Sequence, residues 1–418
     1  MQDARIAKYR RLLIIYGSFF IRSFAFFLIT PIFTENISSF EWGRVLATQA
    51  LGSWIIILLD FGFTLSLSRK IAISGDDVAS INSSVSAAFS AKLILLIPAA
   101  LICLAASQFG ILKSEYNLIV WGLIWAISQG LSPLWYYQAT ENLEKYSLID
   151  IAVKLLYMII AVLLFSRYPY GYLILSVQAV LNFMGNYLMI KWMINKIGPL
   201  NLSISGGFDA LRQSFHLANF SLITSVYTTA SVYIFSLLSP ALAVALYGNA
   251  DRLLRTAISL LGPINQIFLP RSSRAFKNSG KEGIKNLKHM LKVYAFLGMA
   301  LFMIIWILSP YIIRIIFGEK YLESSEYLRI MLIILPMTCI NTVIVYHFLI
   351  PNHLDSLVTK LYSYISVATL LSIFPLVKLF DTYGMIYAML IPESIAMIFF
   401  SFYIFRWINS GRWAVKND

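Results

Sequence analysis

The chemistry open to this chain lies in charged side chains that stand inside long apolar runs. Asp251, Arg252 and Arg255 form the richest group, with Asp251 and Arg255 four residues apart and therefore on one helical face. Arg252 is left outside that pair, and Gly262-Pro263 follows, where a helical hydrogen-bond ladder must loosen. A cationic helix beside a breakable one suits an anion-handling cavity; a self-neutralising pair that only fixes helix register is the alternative. Arg22 stands about ten residues into the run 12–33, about 15 Å deep at 1.5 Å per residue. It reads either as a cavity-lining cation or as a structural partner of Asp60 or of backbone carbonyls. Lys92 divides between a structural role and a cavity-lining one. Asp150 and Lys154 repeat the i, i+4 spacing near a run's end, where a lysine arm can snorkel. Glu393 has no basic neighbour at helical spacing, so it is either a hydrogen-bonded acid or a proton or cation coupling site. Asp60, just before Phe61-Gly62-Phe63, reads as a structural acid.

The elements that carry these groups follow from composition. The chain has 418 residues, 59% hydrophobic and 13% charged, with mean hydropathy +0.74. Soluble domains are about 45–50% apolar and about 25% charged. One bilayer crossing takes about 20 apolar residues, which leaves room for about twelve. The expected spans are 12–33, 42–66, 84–107, 115–138, 148–166, 170–190, 213–238, 241–269, 290–317, 325–349, 357–378 and 383–406. A soluble enzyme, a disordered scaffold and a secreted disulfide module are excluded. The run 12–33 is too long and aromatic for a cleaved leader and is expected to be a permanent span. Cys103 and Cys339 sit in apolar stretches and read as buried thiols.

The net charge of +13 finds an explanation in loop bias. With the N-terminus inside, 21 of the 33 basic residues fall in inward segments, 7 in outward ones and 5 within spans. Both termini are therefore expected to be cytoplasmic, and no nucleic-acid partner is needed. All connections are short, and no phosphate-binding G-x-x-x-x-G-K-[ST] loop occurs. His216, His289, His347 and His353 are scattered, so neither a metal site nor a cofactor is expected. A weak internal repeat is visible. Trp42-Gly43 leads after 27 positions to Lys70, and Tyr247-Gly248 leads after 26 to Arg274, which suits the repeated halves of secondary transporters.

Longer motifs carry a resemblance. Leu59-Asp60-Phe61-Gly62-Phe63-Thr64-Leu65-Ser66 with Arg69-Lys70-Ile71-Ala72 resembles a stretch of the O-antigen flippases (Wzx-type) of the polysaccharide transporter family, in the MOP flippase superfamily. Trp135-Tyr136-Tyr137-Gln138 with Glu141 is similar to a second family segment, although Ala139 replaces the usual Gly. Tyr247-Gly248, Asp251-Arg252, Pro263, Asn265, Gln266 and Pro270-Arg271-Ser272-Ser273-Arg274 complete the likeness.

The resemblance implies an all-α integral membrane fold of twelve transmembrane helices in two six-helix bundles, forming a V around a polar cavity and working by alternating access. On this chain the bundles are expected at 1–195 and 213–418, joined by a cytoplasmic linker at 196–212. It implies a bacterial inner-membrane transporter, not an enzyme, that moves an undecaprenyl-diphosphate-linked oligosaccharide from the cytoplasmic to the periplasmic leaflet, with H+ or Na+ as coupling ions to consider. Arg22, Arg252, Arg255, Lys92 and Lys154 are the expected substrate-binding cations; Asp60, Asp251, Glu393 and Asp150 are the coupling or structural acids. Expected partners are the lipid-linked oligosaccharide, membrane lipids, and the polysaccharide polymerase with its chain-length machinery. Three other readings stay open: a lipid II or other polysaccharide-precursor flippase, a multidrug exporter of the same superfamily, and a membrane-embedded O-antigen polymerase or glycosyltransferase.

Overall fold

A computed structural model describes residues 2–75 and 77–410, with side chains described for all of these except 2–13, 15, 16, 19, 22, 220, 226, 227, 266 and 355. Among the described residues the structure is helical, without strands. Hydrocarbon offers no partner to a backbone N–H or C=O, and a helix satisfies both within one segment. In chain order the helices are α1 (Gln2–Asn36), α2 (Ser39–Asp60), α3 (Phe63–Ser74), α4 (Val78–Ala106), α5 (Tyr116–Gly130), α6 (Leu134–Ala139), α7 (Leu143–Phe165) and α8 (Gly171–Ile197). They continue with α9 (Ile204–Thr228), α10 (Ser231–Ser236), α11 (Ala241–Ser259), α12 (Leu261–Asn278), α13 (Gly280–Phe317), α14 (Ser324–Met331), α15 (Ile334–Ile344) and α16 (Asp355–Asn409).

Eight segments among the described residues are long and apolar enough to cross a bilayer, where the sequence suggests twelve. One reason is that α16, with 55 residues, is counted once. At about 80 Å it is more than twice the thickness of the hydrocarbon core. It breaks at Asp381, where φ is 50°, between the runs 357–378 and 383–406. A second reason is polarity: α9 is rich in hydroxyls, α11 carries Asp251, Arg252 and Arg255, and α12 ends in a basic stretch.

The helices pack as two compact units, Met1–Ala245 and Leu246–Asp418. The division falls within α11, downstream of the connection expected at 196–212. That connection is held by the first unit: the Asn82 amide donates to Ile197 O at 2.8 Å, and the Asn201 and Ser203 N–H groups donate to Ser86 Oγ and Ser90 Oγ. These bonds carry the chain onto α4, along which α9 then packs.

In the first unit α2 is central, against α5, α4, α9 and α10, while α5 pairs with α8 and α1 with α7. The chain breaks between α2 and α3, where Phe61 (φ 45°) and Gly62 (φ 75°) are both left-handed. A Cβ on Gly62 would lie 2.9 Å from Leu217 Cβ, so space as well as φ calls for glycine. The two sequence motifs of this region meet in the fold: Ser68 Oγ donates to Trp135 O at 3.0 Å, and Trp135, Tyr136 and Tyr137 are core residues. In the second unit, Leu287, Met290, Tyr294 and Gly298 form the buried face of α13. Gly298 brings α13 close to Cys339 of α15, and one turn of π-helix, Val345–Leu349, follows α15.

Candidate functional site

The break after α2 leaves Asp60 at a helix end, where it accepts a hydrogen bond from Thr64 Oγ1. Across from it, Lys92 projects from α4 with 1% of its surface exposed, and its ammonium donates to the carbonyl of Gly130 at the end of α5. The last carbonyls of a helix lack intrahelical partners and carry the negative end of its dipole, so they suit a cation. Asp60 and Lys92 line one cavity of about 560 Å³ within the first unit, together with Gln129, Ser132 and Tyr146. Ser132 Oγ and the Tyr146 hydroxyl lie 3.0 Å apart.

The remaining polar wall comes from α9 and the residue that follows it. Ser221, Thr224, Ser225, Thr228 and Thr229 line the cavity at spacings of three and four, one face of a helix for about 12 Å. Ser225 Oγ donates to Leu222 O at 2.8 Å, and Thr228 Oγ1 to Thr224 O at 3.0 Å. A hydroxyl whose hydrogen is committed to its own helix presents acceptor lone pairs to a ligand. The cavity therefore offers hydroxyl acceptors, the donors of Lys92 and Gln129, and one carboxylate. That set matches a polyhydroxylated molecule, whose O–H groups both donate and accept.

The second unit holds its charge differently. Arg255 Nε donates to Asp251 Oδ2 at 2.7 Å, the i, i+4 pair expected from spacing. Asp251 is 5% exposed, and its other carboxylate oxygen is buried with no hydrogen-bond partner. Arg252, expected to be left over, is also engaged in an interaction. The helix does break before Gly262-Pro263, with α11 ending at Ser259 and α12 starting at Leu261. Glu393, without a partner at helical spacing, finds one across the fold: the Asn341 amide donates to Glu393 Oε2 at 2.8 Å and to Glu393 O at 3.2 Å.

Other expected site residues fall elsewhere. Asp150 and Lys154 sit on α7, which packs on α1; Asp150 accepts from Ser18 Oγ at 3.2 Å, and neither residue lines the first-unit cavity. The side chain of Arg22 lies outside the described residues. Sequence reasoning missed the hydroxyl face of α9. Its signal was available as the period of Ser221, Thr224, Ser225, Thr228 and Thr229, hidden inside a run read only for its apolar content.

Comparisons with known proteins agree with this architecture. Residues 10–276 match the family described as polysaccharide biosynthesis protein. A Shigella dysenteriae protein provisionally named O-antigen transporter is 26% identical over 380 residues, covering 89% of this chain and 94% of its own length. An Escherichia coli K12 protein with the same provisional name is 22% identical over 375 residues, covering 88% of each. Among solved structures, an inward-facing multidrug resistance MATE family transporter of the MOP superfamily aligns with a TM-score of 0.73 at 14% identity, over 93% of this chain and 95% of that one. The lipid II flippase MurJ, in an inward closed conformation, aligns with a TM-score of 0.72 at 16% identity, over 94% and 87%. These structural likenesses concern the fold.

Proposed function

Because the chain belongs to the polysaccharide biosynthesis protein family, we propose that it is a flippase for an undecaprenyl-diphosphate-linked oligosaccharide, moving the unit from the cytoplasmic to the periplasmic leaflet of a bacterial inner membrane. The observation that carries this reading is the hydroxyl-lined cavity around Lys92 and Asp60, walled by α2, α4, α5 and α7, which are of membrane-spanning character, and by the polar face of α9. A polyprenyl tail can remain in lipid, whereas sugars and a diphosphate must exchange water for protein groups at every stage. Hydroxyls, an amide and balanced charges replace water for a saccharide at low net charge.

The diphosphate calls for cations. Arg252 and Arg255, with Arg22, are the side chains proposed to meet it, since a guanidinium fork forms paired, charge-assisted hydrogen bonds with phosphate oxygens. A ligand phosphate would compete with Asp251 for Arg255, which makes that pair a candidate switch between empty and loaded states. An inside-negative potential drives an anionic headgroup outward by about 2.3 kcal/mol per charge per 100 mV. Transport follows an alternating-access cycle of the twelve-span type, and Glu393 or Asp251 is the proposed site for any coupled H+ or Na+. Both termini are proposed to be cytoplasmic, on the basis of the basic excess in the inward segments.

The test is deletion of the gene in its host, followed by identification of the lipid-linked saccharide that accumulates. Undecaprenyl-diphosphate-linked units confined to the cytoplasmic leaflet, with surface polysaccharide lost, are expected. Single units already exposed on the periplasmic side would point to a polymerase and overturn the reading.

A further inference from the structure

Beyond the cavity of the first unit, the second unit has a cleft of about 660 Å³ between the C-terminal end of α12 and the start of α13. Arg271 and Arg274 line it from α12, and Lys285 and His289 from α13. Glu282 is the one carboxylate in the lining, and it accepts a hydrogen bond from Asn278 at 3.2 Å instead of neutralising a cation. Among the described residues, none of Arg271, Arg274 and Lys285 forms an ion pair. The floor is ordered from behind: the Asn286 amide donates to Ser272 Oγ at 2.9 Å, and buried Ser272 contacts His347 Nδ1 at 2.8 Å. One hydrogen of the Asn286 amide remains to face a ligand.

The helix below the cleft shows what kind of ligand fits. Lys285, His289, Lys292, Phe296, Met299 and Met303 follow one another at spacings of four and three, so they form one face of α13. That face is exposed throughout, with Phe296 at 79%, Met299 at 52% and Met303 at 50%. Its first three residues are basic and its last three are apolar. Lys292 and Arg314 bracket the apolar segment; their separation of about 33 Å matches the hydrocarbon core, so the cleft stands at headgroup level. A cationic pocket above an exposed apolar face is the shape of one amphiphile, with an anionic head and acyl chains.

We propose that the cleft between α12 and α13 binds the phosphate headgroup of an anionic phospholipid, whose acyl chains lie along Phe296, Met299 and Met303. The two arginines grip phosphate oxygens, Lys285 adds a point charge, and Asn286 completes the donor set. The site is independent of the transported substrate and stands whether or not the chain is a flippase.

The experiment is native mass spectrometry of the full-length purified protein, with dioleoyl phosphatidylglycerol and dioleoyl phosphatidylcholine as probes. Retention of phosphatidylglycerol at least tenfold above phosphatidylcholine is expected. The R271Q/R274Q/K285Q variant is expected to lose about tenfold of that retention, and R271K/R274K/K285R to keep most of it. Removing as many charges elsewhere, in K191Q/K196Q/R212Q, is expected to change it less than twofold. If the triple glutamine variant does not fold, R274Q alone is expected to lose about threefold. Equal losses in the two charge-removal variants, or in R274Q and K196Q, would overturn the proposal by showing adsorption to net charge. Displacement by millimolar inorganic phosphate would reveal a soluble-anion site and overturn it too. Retention of undecaprenyl diphosphate in strong preference to phosphatidylglycerol would overturn it in favour of a substrate-loading site.

Discussion

In the first unit Lys92 is held by the carbonyl of Gly130 at a helix end, whereas in the second Arg255 is held by a carboxylate on its own helix. The two anchors leave different chemistry behind. A carbonyl carries no charge to cancel that of an ammonium, so Lys92 stands without a neutralising anchor in a cavity that also contains Asp60 and a wall of hydroxyls. The Arg255–Asp251 pair cancels its own charge until something displaces one member. Under the proposed function, the first unit would solvate a polar, largely neutral group, and the second would respond to an anion. That division refines the proposal of a uniformly cationic site: saccharide recognition is assigned to the first unit, and diphosphate recognition to the arginines.

The sharpest way to break the comparison is Lys92→Met, which removes the cavity's cation but keeps its packing. At least a tenfold fall in surface polysaccharide is expected, with membrane abundance measured by immunoblot unchanged. Normal display would remove Lys92 from the site.

Asp251→Asn is expected to act on stability, because it removes the buried carboxylate that accepts from Arg255 Nε. Breaking a buried pair costs about 3–5 kcal/mol, and the lower end applies because the Arg255 side chain is 32% exposed. Thermal unfolding in detergent should show a clearly lowered midpoint. D251N/R255Q should recover part of it, giving a non-zero coupling in a double-mutant cycle.

Gly62→Ala tests the turn that places Asp60. A left-handed φ and contact with Leu217 together are expected to cost about 1–3 kcal/mol. A thermal midpoint unchanged from native would show that the break between α2 and α3 is not strained by a side chain.

The smallest stability effect is expected for Ser225→Ala with Thr228→Val. Both hydroxyls bond their own helix, so their loss should change stability by under about 1 kcal/mol. Transport should nevertheless fall several-fold. A loss of stability without a loss of transport would make the stripe a packing device.

How much of this was legible in the sequence depended on the range of each contact. The membrane class followed from composition, and the Asp251–Arg255 pair from i, i+4 spacing, because both are local. The break at Phe61-Gly62 was marked by a glycine that the left-handed turn requires. The meeting of Lys92 with Gly130, or of Glu393 with Asn341, depends on which helices pack together, and no periodicity within one helix encodes it. The polarity of α9 was written in its sequence, but a hydropathy reading averages a polar stripe with the apolar face behind it. The same averaging, together with the counting of α16 as one segment, separates the expected twelve spans from the eight segments that qualify by length and hydropathy. Functional helices in a membrane protein carry the polar residues that weaken their own signal.

The central claim is that the first-unit cavity handles the saccharide of a lipid-linked substrate. The direct measurement reconstitutes the purified chain in vesicles with a fluorescent undecaprenyl-diphosphate-linked oligosaccharide and follows its access to a membrane-impermeant quencher. The native chain is expected to translocate it, and both Lys92→Met and the combined S221A/T224V/S225A/T228V variant to lose at least tenfold in rate while remaining folded. Translocation at the native rate by both variants would contradict the account.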